Sequence, residues 1–398
     1  MTDSPTTDSN EPSRAEPVRP EPSRAEPHTP PPGPLVALPH PPAGVPWPTD
    51  RWPAGEVADG VDRARLSALV DELLADPDPA ARPIGATLAF LVVQRGRLVL
   101  ERYGERHAGE LEVLAGIEGG AVTAATPLLS WSMAKSVLHA VIGVLVLDGL
   151  VDIDDPAPVP AWQGPDDPRN RITWRHLLQM RPGLQWLEEY FDVEPDRIPD
   201  VVAMLYGEPA ADMAAFAASF PLDDEPGSPS AYRYSSGTTN ILAACVQRVL
   251  DVDETGMRSL LTDRLFAPLG MRSAEPSFDA AGTFVASSYL HATAQDYARF
   301  GLLYLRDGVW EGRRLLPPGW VDAARTPVSW DERLWHSMHW WVWDDGRGTF
   351  AADGFEGQRI LLVPSTDLVV VRLGKTLGDH GDVLDAHLEQ ILACFDGA

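Results

Sequence analysis

"SWSMAKSVLHAVIGVLVL", residues 130–147, decides how the chain is read. Ser132 stands three positions before Lys135, and the apolar run that follows ends at Gly149. The pattern predicts a helix, and residues i and i+3 of a helix share a face, so the amine can sit beside the hydroxyl. Lys135 and Lys375 are the only two lysines in a chain with thirty arginines. A side chain that takes a proton from serine must be neutral part of the time. Burial and positive dipoles can bring an amine to that state, whereas a guanidinium stays charged in any protein setting. A serine at a helix N-terminus also meets backbone N–H groups that favour developing negative charge. A solvated lysine near a helix start is the ordinary alternative. With two lysines and about twenty serines, chance supplies an S-x-x-K on the order of 0.1 times, which favours the chemical reading.

The totals are compatible with an enzyme. A chain of 398 residues with 44% apolar content can bury a full core around one site. A net charge of −26 argues against nucleic acid or an anionic membrane as partner, since both need a basic face. Cys245 and Cys394 lie far apart in apolar stretches, which predicts buried free thiols rather than a disulfide or a metal site. No cofactor is expected. The N-terminal text has no charged n-region, apolar h-region or twin arginine. The apolar run near 137–147 is interrupted by His139 and is too short to span a bilayer. A soluble cytoplasmic protein is the expectation.

Residues 1–50 are rich in Pro, Ser and Glu and carry "EPSRAEP" twice, at 11–17 and 21–27. They read as a disordered tail, with a PxxP ligand as the alternative role. Residues 51–398 read as one folded domain. "ATLAFLVVQRGRLVLERYG" predicts a hairpin around Arg95-Gly96. The region about 129–284 reads mostly helical, and "GTFAADG", "QRILLVP" and "LVVVRLG" return to strand before a last helix, "DVLDAHLEQILACF". The expected fold is therefore α/β (α+β). A largely antiparallel sheet is built from both chain ends, about 51–128 and 285–398, with a helical insertion between them.

Two further elements join Ser132 and Lys135. "YRYSSGTTN", 232–240, offers the Tyr234 phenol as a second proton shuttle if a neighbouring ammonium lowers its pKa, and Ser236 as a hydrogen-bond partner of Lys135. By itself this loop also reads as a helix cap. "DGFEGQRILLVP", 353–364, enters a strand through glycines, and N–H groups near Gly357 and Gln358 could complete an oxyanion hole with that of Ser132.

The order S-x-x-K, Y-x-S, glycine-containing strand resembles the serine β-lactamase and penicillin-recognising superfamily. Stretches such as "VLVLDGLVDIDDPAPVPAW", "ITWRHLLQMRPGLQWLEEY" and "ATAQDYARFGLLYLRDGVWEGRRLLPPGW" are similar to its class C β-lactamase-related serine hydrolases, which include 6-aminohexanoate-dimer hydrolases and related esterases. The resemblance covers nearly all of 80–390. It implies a β-lactamase-like fold with the cleft between sheet and helices. It further implies Ser132 as nucleophile, Lys135 as base, Tyr234 as second acid/base, and an acyl-enzyme formed from a small ester or amide. Phe355, Gly357 and Gln358 would border the substrate, and Tyr190 falls where amide-hydrolysing relatives carry a substrate-loop tyrosine. The chain departs from β-lactamases at two points: Ser236 stands for their Asn, and Phe355-Glu356-Gly357 stands for their Lys-Thr-Gly. The missing lysine removes a cation that would meet a β-lactam carboxylate, and Glu356 would repel one. "GKT" at 374–376 reads as a decoy on the next strand, with Lys375 a solvated strand-end charge. Acyl transfer by the same acyl-enzyme and a catalytically silent binding domain are the competing readings. A Ser-His-Asp hydrolase is disfavoured because G-x-S-x-G is absent. His336 and His339 lack the carboxylates of a metal motif and read as aromatic packing.

Overall fold

The structure, a computed structural model, describes residues 34–108, 118–189, 197–331, 333–378 and 380–398. Helix α1 (Arg63–Leu73) leads to strands β1 (Ala86–Gln94) and β2 (Arg97–Tyr103). Arg95 and Gly96 between the strands have φ of 50° and 73°, the left-handed pair that a two-residue hairpin needs, so the expected hairpin forms. Helix α2 (Met133–Leu147) follows, and a series of short helices leads to α3 (Ser236–Leu250). Helix α4 (Ala294–Leu305) then returns the chain to the sheet. The rest supplies β3 (Ser329–Asp331), β4 (Leu334–His336), β5 (Trp341–Val342), β6 (Phe350–Gly354), β7 (Gln358–Val363), β8 (Leu368–Lys375) and helix α5 (Gly381–Ala393).

These strands form one antiparallel sheet in the order β3-β4-β5-β6-β7-β8-β1-β2. The two ends of the chain meet where β1 pairs with β8, from Ala86 opposite Lys375 to Gln94 opposite Leu368. Both faces of the sheet are covered. Leu91 and Val93 of β1 and Val369 and Val371 of β8 belong to the core shared with α2 and α4. Phe90, Val92, Leu368 and Val370, pointing the other way, pack with α1 and α5. Strands buried on both faces have no polar face, which explains why "LAFLVV" and "LVVV" read as continuous apolar runs. Helix α2 is mostly apolar for the same reason, and every residue from Met133 to Leu145 is buried, Lys135, Ser136 and His139 included. Cys245 and Cys394 are free and buried.

The expectation of a tail as far as residue 50 is corrected over residues 34–50. Trp47 lies 4.9 Å from Trp310, and Arg299 Nε donates to the Pro48 carbonyl at 2.8 Å. Arg325 donates to the carbonyl of Val36 at 2.5 Å, and Trp310 Nε1 donates to Thr49 Oγ1 at 2.8 Å. Prolines leave these carbonyls without partners of their own, and buried arginines from the body supply the donors. Trp47→Ala should therefore lower the free energy of unfolding by about 1–3 kcal/mol. Urea denaturation measures this, and an unchanged midpoint would mean that the segment does not contribute to the packed body.

Candidate active site

The chain enters α2 through a tight corner. The strand Leu128–Leu129 pairs with Leu290–Ala292, and Trp131 then takes φ of 46° before Ser132 and Met133 begin the helix. Helix α2 carries Lys135 inward, where it is 2% exposed. Its Nζ donates to Ser132 Oγ at 2.8 Å, Ser236 Oγ at 3.0 Å and the Ser287 carbonyl at 2.9 Å. Burial pulls the pKa of this amine down to about 8, and the charge of Glu188 opposes the fall.

Ser236 is the first residue of α3, while Ser235 caps the helix by accepting from Thr238 N at 3.0 Å. The Tyr/Ser loop is thus both a cap and a site element: one serine closes the helix and the next turns to Lys135. Tyr234 hydrogen-bonds to Ser132, and the Lys135 amine lies 5.0 Å from the centre of its ring. The condition set for its shuttle role, a pKa lowered by the neighbouring ammonium, is not met. Burial raises the phenol, Glu188 and Asp331 raise it further, and only the Ser132 hydrogen bond opposes them. Tyr234 therefore keeps its proton at neutral pH and can act as a donor.

Ser132 and Tyr234 share their cleft with Trp341 and the turn Gly354–Gly357, so Phe355 and Gly357 are brought in as expected. Strand β6 passes close to the loop that carries Ser132, and a Cβ at Gly354 would collide with the Ser130 carbonyl. Under the turn lies the buried guanidinium of Arg372, which donates to the carbonyls of Glu356 at 3.1 Å and Gly357 at 3.0 Å. Phe355 meets Trp131 edge-on at 5.5 Å. The Gln358 side chain is not among the groups lining the cleft. Its amide bridges to Gly374 through the carbonyl at 2.6 Å and N–H at 2.9 Å, bracing β7 against β8. Tyr190 lies outside the described residues.

Two readings of charged groups change. Glu356 Oε2 accepts from Trp131 Nε1 at 3.3 Å, and Lys375 Nζ is 4.0 Å from Oε1, so Lys375 is paired rather than simply solvated. Thr376 lines the cleft, and its N–H donates to the Glu356 carbonyl at 2.9 Å. The "GKT" stretch therefore adjoins the site, because the end of β8 lies beside the start of β7. Sequence reasoning missed Glu188. Its Oε1 accepts from Ser236 Oγ at 2.5 Å and its Oε2 from Ser236 N at 2.8 Å and Trp186 Nε1 at 2.7 Å. The text "LEEY" offers no pattern that separates Glu188 from an exposed acid. His336 packs against the Tyr234 and Trp341 rings at 5.8 and 5.0 Å. His339 bonds to the Leu178 carbonyl at 2.8 Å and Thr239 Oγ1 at 3.0 Å, and burial pushes its pKa down to about 3.

The Beta-lactamase family model matches residues 76–394, most of the chain and all of the site. The chain belongs to the β-lactamase family. Among curated proteins it is 30% identical over 269 residues to the 6-aminohexanoate-dimer hydrolase of Paenarthrobacter ureafaciens, covering 62% of this chain and 65% of that one. Among solved structures it resembles a Bacillus anthracis protein described as a candidate 6-aminohexanoate-dimer hydrolase, with TM-score 0.65 and 21% identity over 86% of this chain and 87% of that one. It also resembles an octameric penicillin-binding protein homologue of Pyrococcus abyssi, with TM-score 0.59 and 17% identity over 83% and 77% of the two chains. These structural likenesses carry the fold.

The geometry gives a proton a short path from Ser132 to Lys135. The amine is a cation below its pKa and a base above it, so the rate at which Ser132 is phosphonylated by a fluorophosphonate should rise with pH and level off above about 8. Lys135→Arg keeps the charge but cannot become neutral, and should react roughly 10²–10⁴-fold more slowly. A pH-independent rate, or an unimpaired arginine variant, would mean that Ser132 does not pass its proton to Lys135.

Proposed function

We propose that the protein is a serine hydrolase that cleaves a small ester or amide through an acyl-enzyme on Ser132. Neutral Lys135 accepts the Ser132 proton as Oγ attacks the carbonyl. The N–H of Ser132 and a backbone N–H of the Phe355–Gly357 turn meet the developing oxyanion. Tyr234, which retains its proton, delivers it to the leaving group, and by microscopic reversibility takes one from the water that releases the acyl group. The observation that carries this reading is the buried Lys135 amine 2.8 Å from Ser132 Oγ. Membership of the β-lactamase family and the hydrolase named at 30% identity support it.

The substrate is read as a neutral or linear ester or amide rather than a β-lactam. Glu356 stands in the cleft wall where a carboxylate-binding lysine would be needed, and Trp131 and Lys375 hold its carboxylate there. Among the described residues no helix is long and apolar enough to cross a membrane, and the cytoplasmic placement rests on the sequence.

Purified enzyme should label with a fluorophosphonate, and Ser132→Ala should not. Short-chain nitrophenyl esters should be hydrolysed faster than a chromogenic cephalosporin. An intact protein that fails to label, or a serine variant that labels equally, would mean a silent binding domain. Product formation that requires an added amine or alcohol would mean acyl transfer, and a reversed substrate ratio would mean that Glu356 does not exclude carboxylates.

A further inference from the structure

Ser236 stands between Glu188 and Lys135, and its hydroxyl has one proton to give. That proton goes to Glu188 Oε1 at 2.5 Å, so toward Lys135, at 3.0 Å, Ser236 can only accept. The Ser287 carbonyl, 2.9 Å from the amine, is also an acceptor only. A neutral amine has two protons and one lone pair. With two of its three neighbours restricted to accepting, the protons go to Ser236 and Ser287. The lone pair then faces the third neighbour, Ser132 Oγ, at 2.8 Å.

We infer that Glu188 is a positioning residue: by holding the proton of Ser236 it aims the lone pair of Lys135 at Ser132. The inference rests on the acyl-enzyme chemistry proposed above. Glu188 is itself well fixed, since its other oxygen accepts from Trp186 Nε1 and from Ser236 N in the first turn of α3. There a carboxylate is also favoured by the helix dipole. The groups that face the Lys135 amine are Glu188, the Tyr234 ring, and the imidazoles of His336 and His339, which burial holds neutral. Asp331 adjoins this group through Tyr232 and Tyr234. Of these, Glu188 holds the amine's pKa up against burial.

Removing the Glu188 charge therefore has two separable effects. Ser236 becomes free to turn its proton onto the Lys135 lone pair, in competition with Ser132. The amine also loses its counter-charge, so its pKa falls and the neutral form is populated at lower pH.

The test is the pH dependence of Ser132 phosphonylation by a fluorophosphonate. In Glu188→Gln the rising limb should move down by about one pH unit, and the plateau rate should fall about 10- to 100-fold. Glu188→Asp keeps the charge and should hold the limb within about 0.3 unit of wild type. Ser236→Ala, which removes the relay and leaves Glu188 in place, should show a plateau loss of about the same size, and adding Glu188→Gln to it should cost little more on the plateau. A merely structural Glu188 would lower the melting temperature and leave the limb where it was. An unmoved limb in Glu188→Gln, or an equal displacement in Glu188→Asp, overturns the assignment. If Glu188→Gln does not fold, a Ser236→Ala enzyme that reacts at the wild-type rate overturns it alone. Wild-type enzyme that does not label at all overturns the acyl-enzyme reading as well.

Discussion

An amine buried among oxygen acceptors is the constraint on which the rest depends. Lys135 has three oxygen neighbours within 3.0 Å and almost no exposure, so water cannot share the work of holding its charge. Desolvation favours the neutral form, and the charge of Glu188 favours the cation. The balance falls at about 8, close enough to neutrality for the side chain to give and take a proton. The same environment pushes the Tyr234 phenol upward and so keeps its proton in place. Two titratable groups driven in opposite directions by one buried setting can divide the roles of base and acid between them.

The fold makes that setting by burying α2 on all sides. The sheet covers one flank through β6 and β7, and α3 covers another with Ser236 facing the amine. Each supporting group arrives from a different part of the chain: Ser287 from the segment before α4, Glu188 from the segment that follows the short helix Trp174–Leu178, and the cleft wall from the turn between β6 and β7. The pairing of β1 with β8 closes the sheet across the two chain ends and fixes the turn over Arg372.

Much of this was legible in the sequence, for identifiable reasons. Scarcity of lysine made Lys135 stand out, and an apolar helix after it implied the burial that its chemistry needs. The hairpin at Arg95-Gly96 and the strands β6, β7 and β8 were visible as local runs with turn residues between them, whereas the three-residue strands β3 and β4 were too short to show a period. Contacts that join distant segments were not visible. Glu188 reaches Ser236 across 48 positions from a loop without periodicity. Lys375 and Thr376 read as a decoy because the adjacency of β8 to the start of β7 is a matter of sheet pairing, not of text. The segment 34–50 has the composition of a tail, yet its carbonyls match arginine donors more than 240 positions away. The direction of the Tyr234 shift was not legible because burial, its largest cause, has no local signature.

The central claim is that Lys135 exchanges its proton near neutrality, and the chain is suited to a direct measurement because it has only two lysines. Protein labelled with 13C at lysine Cε should give two side-chain signals, and Lys375→Arg leaves that of Lys135 alone. The account predicts that this signal titrates with a midpoint at about 8. A signal that shows no titration until about pH 10, the ordinary range of a lysine, would contradict it.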